Sequence, residues 1–407
     1  MSVKNRQAWG VVLVVFGVLL GNTLYEFLGK SINFVNLSMM AGTLLVVDYR
    51  RLLRLKMPGL KKALPLYGFQ FYLLFIFVFF RHLYFTESWT SDLAYIIFAI
   101  AFITALASNP SHLDWNKILG VSFYLASGIV FLIGFVLLKS GNVFNGRFRF
   151  SSGAEPLQMG LGLTSCFAVF LTFEGKTVFD KLLKVADLAL LFIEEFAFLC
   201  RTAIFICGIM LLVYVILKLR IDFLVYRNFI ISIRKMVFQI LVMFCIFAIV
   251  YFCVPGMKNV VNNIQNYMLR GILTLYENNS LGSDESALTR VYTQHMAWSL
   301  ILNERNPLKI LFGHGYMTMY VDVPILQALL DFGIVGWIAY TYIIIIKPMR
   351  AAFNGTKLQI ALENKKYWYQ YITVILWSIT AIGKQLSSAL PYGHDVYLGA
   401  ILCWFLA

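Results

Sequence analysis

Four arginines stand among glycine, serine and aromatic residues. They are Arg147 and Arg149 in Gly146-Arg-Phe-Arg-Phe150, Arg201 in Cys200-Arg-Thr-Ala203 and Arg290 in Leu288-Thr-Arg-Val-Tyr292. A guanidinium offers a planar fork of donors that matches phosphate oxygens in pairs, which the ammonium of lysine cannot do. Isolated arginines in small, flexible surroundings therefore point to a bound phosphate or pyrophosphate. Arg149, two residues beyond Arg147, is expected to contribute less than its neighbour. The competing reading is that these side chains snorkel or meet lipid phosphates without specificity.

A second group follows Arg290. His295 lies five residues on, in Gln-His-Met-Ala-Trp. Next comes Asn306-Pro-Leu-Lys-Ile-Leu-Phe-Gly-His-Gly-Tyr316, then Asp322-Val-Pro before a long aliphatic stretch containing Gly333-Ile-Val-Gly336. Asp322 stands at the mouth of a predicted helix, where a carboxylate can take a proton from a sugar hydroxyl. It could equally cap that helix. His314 sits between two glycines that permit a close backbone approach. For His314 and His295 a packing role competes with a catalytic one.

Several chemistries lack their residues. There is no GxxxxGK[ST] phosphate loop, no GxSxG elbow, no HExxH and no outward DxD pair. Any reaction must then draw on a substrate that arrives already activated, with no metal and no cofactor. The six cysteines lie in or at the ends of apolar runs and form no CxxC pair, so a zinc site or disulfide framework is not expected.

The elements that must position these residues are membrane helices. Of the chain, 60% is hydrophobic and only 13% charged, against roughly 45–50% and 25% in soluble domains. Apolar runs of spanning length fall near 9–28, 31–47, 64–80, 93–107, 118–138, 156–173, 185–200, 202–217, 236–254, 323–346, 368–386 and 394–407. The prediction is an all-α polytopic bundle of about 12 transmembrane helices in one domain over 1–407. The run 185–217 is too long for one span and is expected to break at Cys200-Arg201. With that break and a cytoplasmic N-terminus, the basic loops 48–62, 174–184, 218–235 and 347–366 all fall inside. Both termini are then cytoplasmic. The net charge of +14 reads as topology, not as nucleic-acid binding.

Two segments face outward. One is 139–155, with Arg147 and Arg149. The other is 255–322, the longest hydrophilic segment, whose apolar spacing from Leu288 to Asn303 predicts an amphipathic helix lying on the membrane. Glu26, Glu194, Glu195, Asp331 and Lys384 fall within spans, where charged groups usually face an interior cavity.

Taken in order, these pieces resemble the O-antigen polymerase/ligase superfamily. The resemblance rests on the arginine loop before Glu155-Pro156, on Arg201-Thr-Ala, and on the long loop with Arg290, Trp298, Asn306-Pro307, Gly313-His-Gly and an acidic residue before Gly333-Ile-Val-Gly336. It covers roughly residues 140–345. It implies a GT-C-type membrane glycosyltransferase of the bacterial inner membrane, metal-independent and inverting. The implied substrate is an undecaprenyl-pyrophosphate-linked oligosaccharide, the implied partners a chain-length regulator and a flippase. Arginines would hold the pyrophosphate, and a residue near the end of the long loop would activate the acceptor hydroxyl. Ligases of the family commonly carry His where this chain has Asp322, which favours a polymerase. The remaining alternatives are a ligase and, in a different class, a polyprenyl-linked oligosaccharide flippase.

Overall fold

A computed structural model describes residues 3–81, 89–109, 113–140, 147–226, 285–352, 365–386, 400–402 and 404–405, with isolated residues between 234 and 269. The expected span 236–254, most of 394–407, and loop residues 141–146 and 255–284 lie outside the described residues or are touched only singly.

The described chain is all-helical. Helices α1 (Val3–Leu28) and α2 (Phe34–Val46) form a tight hairpin, with Asn33 capping α2 through its side chain. The short α3 (Tyr49–Leu53) leads to α4 (Leu60–Phe79), α5 (Trp89–Ser108) and α6 (Trp115–Ser140). Then come α7 (Pro156–Thr172), α8 (Val178–Phe198) and α9 (Arg201–Tyr226). The remaining helices are α10 (Glu285–Asn303), α11 (Pro307–Phe312), α12 (Pro324–Thr341) and α13 (Lys365–Gly383). Beyond Thr341 the chain of α12 runs through a π-turn, Tyr342–Ile346, to Ala352.

Five segments are long and apolar enough to cross a membrane: Val3–Leu28, Leu60–Phe79, Trp115–Ser140, Arg201–Leu219 and Pro324–Arg350. Shorter apolar helices accompany them at Phe34–Val46, Asp92–Ser108, Pro156–Thr172 and Tyr371–Gly383. Without water in a hydrocarbon layer, backbone polar groups must be satisfied within the segment, and a helix does this. The chain thus has the build of a helical membrane protein.

Helix α7 is the hub. It touches α1, α6, α8, α9 and α13, and nearly all its residues are buried. A helix apolar all round is one enclosed by others. Its Pro156 occupies the first turn, where a missing N–H is harmless. The arginine loop is therefore fixed at one end to the best-enclosed helix of the bundle.

The long apolar run from 185 is divided. Helix α8 stops at Phe198, Leu199 takes a left-handed conformation at φ 48°, and α9 starts at Arg201. The carbonyls at the end of α8 are released from intrahelical pairing by this break. Two of them are taken up by the arginine loop. Phe148 N–H donates to Ala197 O at 2.9 Å, and Arg147 Nε donates to Phe198 O at 3.3 Å.

A second break shapes α12. Gly333 has φ 62°, and a side chain there would meet the backbone of Leu311 and Gly313 at about 2.5 Å. The kink frees carbonyls that find donors in the preceding loop. His314 N–H donates to Leu330 O at 2.9 Å, Gly315 N–H to Asp331 O at 3.2 Å, and Tyr72 Oη to Phe332 O at 2.8 Å. The Asp331 carboxylate, fully buried, accepts from Met317 N–H, Thr318 N–H and Gln327 Nε2 at 3.1, 3.2 and 2.8 Å. Tyr316 then docks on the end of α4, its N–H on Phe80 O and its ring edge-on to Phe77. The loop 313–322 is thereby tied to α12 and α4 along its length.

Candidate functional site

The ends of these elements enclose a cavity of about 320 Å³. Arg147, Arg149, Phe150 and Gly153 to Leu157 line it from the arginine loop and the start of α7. Arg290 enters from α10, and Tyr320 and Asp322 from the loop before α12. Segments separated by some 130 residues of sequence converge here. Of the residues expected to do chemistry, Arg147, Arg149, Arg290 and Asp322 come together.

The Arg-Phe-Arg-Phe run explains the arginine wall. In extended backbone, residues two apart share a face. Phe148 and Phe150 turn inward and pack on each other and on Phe198, with centroids 5.8–6.0 Å apart. Arg147 and Arg149 consequently face the cavity together. The expectation that Arg149 would be the lesser partner has no geometric basis, because the same alternation that presents Arg147 presents Arg149.

The three guanidiniums are engaged to different degrees. Arg149 makes no hydrogen bond or ion pair among the described residues. Arg147 is held by one nitrogen on Phe198 O, and Arg290 Nε donates to Asp322 Oδ2 at 3.0 Å. Asp322 does not cap α12: the cap residue is Val323, and no side chain bonds the cap. Instead the carboxylate accepts a hydrogen bond from Arg290, with Tyr320 beside it in the cavity lining. Burial, then the carboxylates of Asp322 and Glu155, hold the Tyr320 hydroxyl above the ordinary tyrosine range, so it is a donor at neutral pH.

Two groups that sequence reasoning missed join the site, and a third, Lys30, lies near its loop. Tyr320 and Glu155 line the cavity, and Glu155 makes no capping bond although it is the cap residue of α7. The Lys30 ammonium lies against Gly153, 3.5 Å from where a side chain there would begin. For Tyr320 and Glu155, a position between a candidate arginine and a helix start was the only available signal. Glu26, near the C-terminal end of α1, is a loop anchor. Its carboxylate accepts from Ser151 Oγ at 2.6 Å and from Ser152 N–H at 2.9 Å.

Other expected residues stand elsewhere. Arg201 opens α9 just behind the arginine loop and is not among the cavity-lining side chains. His295 is exposed on α10. His314 has its imidazole 3.0 Å from Glu304 Oε2, away from the cavity, and its flanking glycines serve the approach to the α12 kink. Glu194 and Glu195 are buried inside the bundle and do not pair with Arg201. Among the described residues no group of His, Cys, Asp and Glu has the arrangement of a metal site. The chain matches no protein-family model and no curated protein sequence.

The cavity thus brings together three guanidiniums, two carboxylates and a tyrosine hydroxyl, with Arg290 and Asp322 in direct contact. Such a lining suits a ligand that carries both an anion and hydroxyl groups.

Proposed function

We propose that this protein is a membrane glycosyltransferase, a polymerase that joins undecaprenyl-pyrophosphate-linked oligosaccharide repeats on the outer leaflet of the bacterial inner membrane. The observation that carries the reading is the convergence of Arg147, Arg149 and Arg290 with Asp322 on one cavity. In this reading the full chain is a GT-C-like bundle of about 12 spans, with both termini cytoplasmic.

The reaction needs little beyond placement and charge. Asp322 accepts the proton of an acceptor hydroxyl. The hydroxyl oxygen attacks the anomeric carbon of the donor from the face opposite the pyrophosphate. The carbon–oxygen bond to pyrophosphate breaks, its electron pair leaves with the phosphate oxygen, and the anomeric carbon is inverted. The arginines stabilise the charge that grows on that oxygen, and holding both sugars in line supplies much of the rate. The donor is activated by its own leaving group, so no nucleotide is consumed.

A deletion strain tests the assignment. Single-repeat glycan on the final acceptor marks a lost polymerase, and long chains stranded on the polyprenyl carrier mark a lost ligase. Single repeats stranded on the inner leaflet mark a lost flippase and sink the proposal. The flippase reading draws on Asp187, Glu194 and Glu195, three buried carboxylates on α8. Alanine at Arg147, Arg149 or Arg290 should each shorten the polymer at normal protein level. Unchanged chain length in all three variants would remove the pyrophosphate site.

A further inference from the structure

Arg290 faces two claims. It lines the cavity beside Arg147 and Arg149, yet its Nε is committed to Asp322 Oδ2 at 3.0 Å. Asp322 is the only carboxylate bonded to any of the three cavity arginines among the described residues. The Tyr320 hydroxyl lines the same cavity beside it. Arg290 is moderately accessible, its side chain 36% exposed against 16% for Asp322. The guanidinium therefore has room to move while the carboxylate stays seated.

Resting on the polymerase reading above, we propose that Asp322 and Arg290 form a charge-exchange pair that couples proton removal from the acceptor to stabilisation of the leaving pyrophosphate. In the resting site Asp322 holds Arg290, so the pyrophosphate of a bound donor is gripped mainly by Arg147 and Arg149. When the acceptor O–H breaks, its proton goes to Asp322, which becomes neutral and no longer holds Arg290 by charge. At that moment the carbon–oxygen bond to pyrophosphate is breaking and negative charge is gathering on the departing oxygen. Arg290 turns to it. The interaction is stronger in the transition state than in the ground state, which is what accelerates a reaction. Afterwards the proton passes from Asp322 to water or to the released pyrophosphate. The carboxylate reclaims Arg290, and the product loses one of its ligands. Base, leaving-group stabiliser and product release are then a single pair.

Competition between Asp322 and a phosphate ligand for Arg290 can be measured without turnover. The test is binding of inorganic pyrophosphate to the purified full-length chain in lipid nanodiscs, by calorimetry. Wild type binds, and Arg147→Ala weakens binding. Asp322→Asn, of equal size, should bind pyrophosphate about tenfold tighter or more, as expected for one regained charge-assisted hydrogen bond, while polymer formation is lost. In an Arg290→Ala background the same change should bring no tightening, since the group in dispute is gone; the double-mutant cycle isolates the pair. Equal or weaker binding by Asp322→Asn in protein of wild-type thermal stability overturns the exchange. So does tightening that survives in the Arg290→Ala background. Should Asp322→Asn fail to fold, Asp322→Ser replaces it with the same expected sign and the same overturning result. Absence of pyrophosphate binding by wild type would sink the underlying site instead, so the two failures are distinct.

Discussion

Phe148 and Phe150 decide what Arg147 and Arg149 can do. The alternation Arg-Phe-Arg-Phe was legible as chemistry from residue type, and its register follows from the period of extended backbone. Tyr320 and Glu155 were not legible. A tyrosine and a glutamate beside a proline have many structural uses, and only convergence in space singles them out. His314 shows the opposite case: its surroundings looked like a ligand loop, but its imidazole pairs with Glu304. That glutamate lies below the ordinary carboxylate range, chiefly through the Asn306 N–H and then through Lys309 and His314. Its contribution is present above the unfolded glutamate value of about 4.3 and is lost as pH falls through its lower folded value. Amide exchange in 304–314 should therefore speed up in that acid range, and Glu304→Gln should abolish the acid dependence. An identical acid response in the variant would remove Glu304 as its source.

Helix ends and breaks, more than helix faces, build the cavity. Hydropathy located the helices because burial in lipid leaves a strong periodic and compositional trace. It predicted a break at Cys200-Arg201, and the chain turns at Leu199. The kink in α12 left a weaker trace. Gly333-Ile-Val-Gly336 and Gly313-His-Gly315 were each visible, but not that one exists to fit the other. A methyl group at Gly333 meets both a left-handed φ and backbone contact. Gly333→Ala should lose about 2 kcal/mol or more of stability and displace the 313–322 loop, read as a lower melting temperature and lost activity. Glu26→Ala should act differently. The arginine loop loses its anchor to α1, so pyrophosphate affinity should fall several-fold with melting temperature nearly unchanged, while Glu26→Gln, which keeps one acceptor oxygen, should retain more of it. Equal losses in the two variants would contradict an anchoring role.

At the level of the whole chain, the proposed function rests on an orientation read from charge. On the proposed reading, basic loops on one side of the membrane put the cavity on the outer face, within reach of a lipid-linked donor. Large apolar side chains on α10 and α11, including Leu302, Leu308, Leu311 and Phe312, are exposed. Cysteine placed at Ser299 on α10 should react with an impermeant thiol reagent in intact cells, and cysteine at Arg54 should react only after lysis. Labelling of both in intact cells would refute the arrangement. Composition alone carried the membrane assignment, because so little charge in so long a chain has no soluble solution. What composition could not carry was the meeting of residues 147–157 with 290–322, a contact between distant loops that leaves no local pattern.

On the proposed reading, the unequal engagement of the three guanidiniums gives the site a clock. Arg149, with no partner among the described residues, would meet an arriving anion first, and its effect would belong to the rate of arrival, which falls as salt rises. Arg147, leaning on the end of α8, needs only its remaining nitrogens to fix the angle of what has arrived. Arg290 answers last, after the chemistry has begun. A pocket of three equal cations would seize any phosphate that drifted past; one that engages in succession lets the membrane's own headgroups go and delays only the molecule that brings a hydroxyl with it.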